Sequence, residues 1–221
     1  MKKTDAPLDP AKMTAMLRDG VLAIGPEDIG LTDANCPDVW GAMMELGDAG
    51  VVVSLVALVD GSVSVYLSDG GGVIGCGLHP DVRLAAAKML RVAEQAVSQC
   101  EPADQYPSPA DGEVRFYLLT NQGVLSSTAE RTELDEGAVA LAELYYAGHG
   151  VIGMVELLGA GVELIDEMRL AENAAQRDAN AAGTDVDANV AGRIGIQEFK
   201  ARGRGCRILP YVGNVVRRSQ N

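Results

Sequence analysis

An α+β sandwich is the fold class that this sequence predicts: an antiparallel sheet built from two hairpins, helices packed on it, and a C-terminal extension. Three observations carry that reading. Residues 51–59 form a nearly all-apolar run that meets Asp60-Gly61, and a strict apolar/polar alternation follows from Ser62 to Ser68. Residues 114–120 and 124–128 repeat the theme around Asn121-Gln122-Gly123. Between the two lies the clearest helical stretch, residues 80–99. Hairpins joined by helices imply a mostly antiparallel sheet with the helices laid against it.

Taken in order, Asp9-Pro10 opens a short helical pattern, AKMTAML, that stops at Gly20, and residues 21–34 read as loop or a short strand. Asn35 is placed to cap a second helix with Pro37 in its first turn, where a missing N–H costs nothing. Val39, Trp40, Met43, Met44 and Leu46 give that helix an apolar face, ended by Gly47 or Gly50. The run 51–59 suits a strand covered on both faces. Asp60-Gly61 predicts a type I′ turn, with positive φ at both central residues. In the return strand Val63, Val65 and Leu67 face a core, while Ser62, Ser64, Tyr66 and Ser68 make the other face polar. A third short strand is placed at residues 73–76.

In the helix that begins at Pro80, Val82, Ala85, Ala86, Met89, Ala93 and Ala96 recur at helical spacing opposite Arg83, Lys88, Arg91, Glu94 and Gln95. Residues 101–112, EPADQYPSPADG, read as a turn-rich exposed loop. Gly123 supplies the left-handed φ that the second hairpin needs. Thr132 and Asp135 resemble a capping signal. A helix over 138–147 carries Leu141, Leu144 and Tyr145 and is broken or kinked at Gly148-His149-Gly150. Helical signal resumes over 162–182, and a small hairpin follows around 202–205. The division expected is a core domain at 1–159 and, at 160–221, a C-terminal helix and small basic hairpin. That piece is too small to fold alone, so it is docked or swapped between subunits.

At 221 residues the chain holds one sizeable core, or one core and an appendage. Aromatic residues are only 4% of it, so the core is aliphatic, and stacking platforms for single-stranded nucleic acid are scarce. The net charge of −13 is divided unevenly. Residues 190–221 hold seven basic residues against Glu198 alone, a net of +6, which leaves −19 on residues 1–189. An acidic body repels a phosphate backbone and argues against nucleic acid as the main partner. The basic tail suits an acidic partner, including the body of its own or a neighbouring subunit. Cys36, Cys76, Cys100 and Cys206 make no C-x-x-C pair, so neither a zinc pattern nor a secreted disulfide framework is expected. MKKTDAPLDPAKM lacks the apolar segment of a signal peptide. Residues 137–165 are interrupted by Glu143, Glu156, Glu163 and by Gly148, Gly150, Gly153 and Gly159, too broken to span a bilayer. The expectation is a cytoplasmic protein with reduced thiols and no membrane partner.

The element order, with an Asp-Gly hairpin near its start and a long helix crossing the sheet, resembles the roadblock/dynein-light-chain and profilin-like group over residues 37–158. The likeness is one of topology. The run SVSVYLSDGGGVIGCGLHPDVRLAAA also resembles a segment of uncharacterised bacterial proteins in which a serine/tyrosine strand, a glycine triplet and a helix recur. The roadblock likeness implies a homodimer formed through the central sheet or helix and a scaffold or regulatory role. The segment from 160 onward departs from that group, whose chains are shorter.

Gly70-Gly71-Gly72-Val73-Ile74-Gly75 matches G-x-G-x-x-G, yet that motif works by leading directly into a helix whose N–H groups meet a pyrophosphate. Here strand residues follow, and helix signals begin only at Pro80. A glycine bulge or wide turn and capture of an anion or small ligand by the loop's amides both stay open. Gly70, Gly71, Gly72, Gly75, Cys76 and His79 are the candidate ligand-binding residues. Cys76 and His79 place a thiol and an imidazole before a helix N-terminus, where a thiolate is stabilised, but with no third residue to orient them. His149 reads as a helix-break residue, and two His with no clustered Cys give no transition-metal pattern. Ser126-Ser127-Thr128 lacks a nucleophile elbow. The expectation is a non-enzymatic, cofactor-free protein-interaction module, dimeric. Its alternative is a small-ligand or phosphate-binding protein using residues 70–77.

Overall fold

Residues 9–159 and the strand at 207–209 are described by a computed structural model of the chain. The stretch expected to be a second helix is instead the central strand. β1 (Val39–Asp48) is hydrogen-bonded on one side to β2 (Val51–Leu58) and on the other to β6 (Glu113–Thr120), both antiparallel. Nine of its ten residues are buried. A strand covered on both faces is apolar at consecutive positions and loses its period of two, so the spacing of Trp40, Met43 and Met44 imitated a helical face. The sheet is open and entirely antiparallel, with strand order β5-β7-β6-β1-β2-β3-β4-β8. Here β3 is Val63–Leu67, β4 Gly72–Ile74, β5 Glu101–Pro102, β7 Gly123–Glu130 and β8 Arg207–Leu209. Two hairpins thus become a four-stranded meander, a hairpin and two short edge strands.

Both hairpins form as read, with one change of turn. Asp60 keeps a negative φ and only Gly61 is left-handed, at 90°. The Gly61 N–H donates to Leu58 O, and the Leu58 N–H to Ser62 O, which makes a type I turn with a glycine bulge and not type I′. The double-positive turn lies one hairpin earlier, at Ala49 (φ 52°) and Gly50 (φ 80°), joining β1 to β2.

Helices cover both faces. α2 (Pro80–Ala96) lies where expected and buries Val82, Ala86, Met89, Leu90, Ala93 and Ala96 against one face. α3 (Arg131–Asp135) is a single turn, and α4, over residues 142–159, packs beside α2 on the same core. α4 is not broken at Gly148-His149-Gly150. Gly148 is where the helix closes on the sheet: a Cβ there would sit 2.5 Å from Met44 Cε. The opposite face is not polar either. α1 (Pro10–Ala23), which runs through Gly20, joins residues 24–36 in covering Trp40, Met43, Val56, Leu58, Tyr66 and Tyr117. Tyr66 is only 6% exposed. The expected third strand is Gly72–Ile74, and a short 3-10 turn at Cys76–Leu78 follows it. The helix expected over 162–182 and the hairpin around 202–205 lie outside the described residues. Of the C-terminal segment, Arg207–Leu209 is placed, antiparallel to β4.

Candidate functional site

The glycine loop lies against the fold. It turns the chain from β3 into β4: the Gly70 N–H donates to Leu67 O at 3.0 Å, and the Leu67 N–H to Gly71 O at 3.2 Å. Gly70 and Gly71 are buried, with φ of 103° and 107°. A Cβ at Gly70 would meet Pro10 Cβ at 2.6 Å, so the loop carries the start of α1. Gly72, at φ 134°, pairs with Tyr66, and a side chain there would run into the Val65 carbonyl. Gly75, at φ 77°, leads into the 3-10 turn. Cys76 is wholly buried in the α2 face of the core, whereas His79 is half-buried at the N-cap of α2 and makes no side-chain cap bond. The glycines are therefore explained by close packing and left-handed backbone.

Two open clefts, of about 720 and 390 Å³, flank the Asn121-Gln122 turn at the other end of the sheet. The larger is lined by Glu27, Asp33, Cys36 and Gln122, the smaller by Asp38, Glu94 and Leu125. No residue from 70 to 79 lines either. Among the described residues, no group of three or more His, Cys, Asp or Glu is gathered to hold a metal ion, and no helix is long and apolar enough to cross a membrane.

Beneath α1 lies a charge that sequence reading passed over. Glu45, inside an otherwise apolar strand, is 0% exposed. Arg18 of α1 grips it with two parallel bonds, Nε to Oε1 and Nη2 to Oε2, both 2.7 Å, and Ser54 Oγ donates to Oε1 at 2.7 Å. The same guanidinium donates to Tyr106 O at 2.9 Å and stands 5.9 Å from the Tyr117 ring centroid. Tyr117 in turn donates to Pro107 O at 2.7 Å. The hydrogen bond to Glu45, first among several causes, holds the Arg18 pKa above its ordinary value. All of its partners belong to α1, the sheet or the loop 103–110, so this network fastens helix and loop to the sheet. A lone charged residue in the run VWGAMMELG was the signal for it.

The surface feature that stands out is the outer side of α4. Leu141, Leu144, Tyr145, Val151 and Val155 enter the core, while Tyr146 (51% exposed), Met154 (38%) and Leu157 (66%) face away from it. Gly150 and Gly153 lie between them, each with open space where a Cβ would stand. At ~100° per residue, Tyr146, Gly150, Gly153 and Leu157 fall within about 60° of arc, opposite the buried side. His149 flanks the stripe, its ring edge-on to Tyr145 at 4.4 Å, and partial burial lowers its pKa. Below, Asp135 accepts from the Tyr145 hydroxyl and its carbonyl from the Tyr146 hydroxyl, at 2.9 and 2.7 Å, which steadies this end of the helix. Reading Gly148-His149-Gly150 as a break hid the stripe; the spacing i, i+4, i+7, i+11 was the signal for it. No protein family, curated protein or solved structure compared with the chain matches it.

Proposed function

We propose that the protein is a non-enzymatic scaffold or regulatory module, of the kind the roadblock-like topology implies, and that it works through protein contacts made by the outer stripe of α4. The observation that carries this reading is the placement of Tyr146 and Leu157 in solvent on one line of an intact helix, with exposed Met154 beside that line and Gly150 and Gly153 recessed on it. A contiguous apolar patch of a few hundred Å² is about the largest that a typical monomer carries, and such a patch is often functional. The recessed glycines admit the backbone or a large side chain of a partner, and the flanking side chains supply the area to be buried. The buried Glu45 and Ser54 of the sheet, by contrast, are engaged in holding the fold.

Hydroxyl-radical footprinting tests this without knowledge of the partner. Dilute purified protein is compared with the same protein in concentrated extract of its own host. Tyr146, Met154 and Leu157 are expected to be protected in the extract, while Met16, 65% exposed on α1, labels equally in both. Equal labelling of the stripe in both samples would refute the reading.

A further inference from the structure

We infer that the occupant of the α4 stripe is a second copy of this chain, docked antiparallel across a two-fold axis that passes between residues 151 and 152. The inference rests on the reading of that stripe as a contact surface. A two-fold interface must be complementary to itself, and the stripe is. Reflected through the midpoint 151/152, Gly150 falls on Gly153 and Tyr146 on Leu157. Small residues therefore meet at the crossing, where helix axes must approach, and large ones meet on either side of it. Gly150 and Gly153 have no neighbour within 4 Å of a Cβ position, which leaves room for that approach.

The rim carries a matching donor and acceptor, an imidazole N–H and a carboxylate. His149 and Glu156 lie on the same flank of the stripe, and the two-fold axis keeps that flank facing itself. Each His149 then stands within a turn of Glu156 of the partner subunit, twice per dimer. The contact is small. A stripe of this kind offers a few hundred Å², against about 800 Å² per partner in stable complexes. The dimer is accordingly reversible and concentration-dependent.

Light scattering of the full chain over a wide concentration range should show the mass rising from monomer toward dimer, and Leu157→Glu should hold it at monomer throughout. Register is tested with Gly150→Cys and Gly153→Cys in a Cys36→Ser/Cys206→Ser background; both glycines face open space, so neither thiol perturbs the core. Under mild oxidation, the mixed pair should cross-link several-fold more than either variant alone. Preferential cross-linking of Gly150→Cys to itself would mean a parallel pairing and would overturn the inference, as would a dimer that survives Leu157→Glu. A chain that stays monomeric at every concentration, with its stripe protected in host extract, would remove the second copy and leave the contact surface standing. Absence of both would remove the two together.

Discussion

Removing the Arg18 guanidinium while keeping its stem tests what fastens α1 to the sheet. In Arg18→Met, Glu45 stays fully buried and keeps the Ser54 hydroxyl, but loses two 2.7 Å charge-assisted bonds. Breaking a buried ion pair from one side costs about 3–5 kcal/mol. Because the Arg18 side chain retains 14% exposure, the low end, ~3 kcal/mol, is expected. Glu45→Met should cost less, ~2 kcal/mol, since the freed guanidinium reaches solvent and Asp19, already 3.3 Å away. The double variant replaces both ions by apolar groups of similar length. It should lie within about 1–2 kcal/mol of the parent, the residue being the lost bond to Tyr106 O. Trp40, the only tryptophan and 2% exposed, reports unfolding by fluorescence. With a urea slope near 2 kcal/mol per molar, Arg18→Met should move the midpoint down by about 1.5 M. A cost under ~1 kcal/mol for Arg18→Met, or a double variant no more stable than the sum of the singles, would refute the reasoning.

Two further perturbations bear on the turns and on pH. Ala49→Asn should stabilise by about 0.5–1 kcal/mol and raise Tm by a few degrees, because Ala49 sits at φ 52° in a turn that favours Asn-Gly; an unchanged or lowered Tm in calorimetry would count against that turn. Burial, and then its bond to Asp135, pushes the Tyr145 phenol up to about 12. The folded state thus holds the proton more tightly than the unfolded chain, and the stability this contributes is full below pH ~10 and lost as pH rises toward 12. Alkaline denaturation midpoints should therefore fall less steeply with pH in Tyr145→Phe than in the parent, and parallel curves would refute the assignment.

Position in the sheet decided which local signals could be trusted. Residues 63–67 and 80–96 were legible because a turn residue or a capping proline bounds each, and because helical periodicity survives in an element that keeps one side in water. Val39–Asp48 was not. Its two-sided burial erases the alternation that marks a strand, and its Met, Ala and Leu are helix formers that the pairing with β2 and β6 overrides. Tyr66 and its polar neighbours read as a wet face because nothing in β3 announces that α1 returns to cover it.

The same division separates the candidate sites. The glycine loop was visible at once, since three consecutive glycines are a local fact; that Gly70 presses on Pro10 and Gly72 on Val65 is a matter of contacts between distant segments. The Arg18–Glu45 pair joins residues 27 apart, and no spacing rule links them. The α4 stripe was written in the sequence at helical spacing, but only an unbroken helix turns Tyr146, Gly150, Gly153 and Leu157 into one face. By itself, then, the sequence determined the antiparallel α+β class, the two hairpins and α2, all set by interactions between near neighbours. Tertiary structure alone decided the central strand, what the glycines pack against and which apolar residues stay outside, because each depends on where the rest of the chain lies.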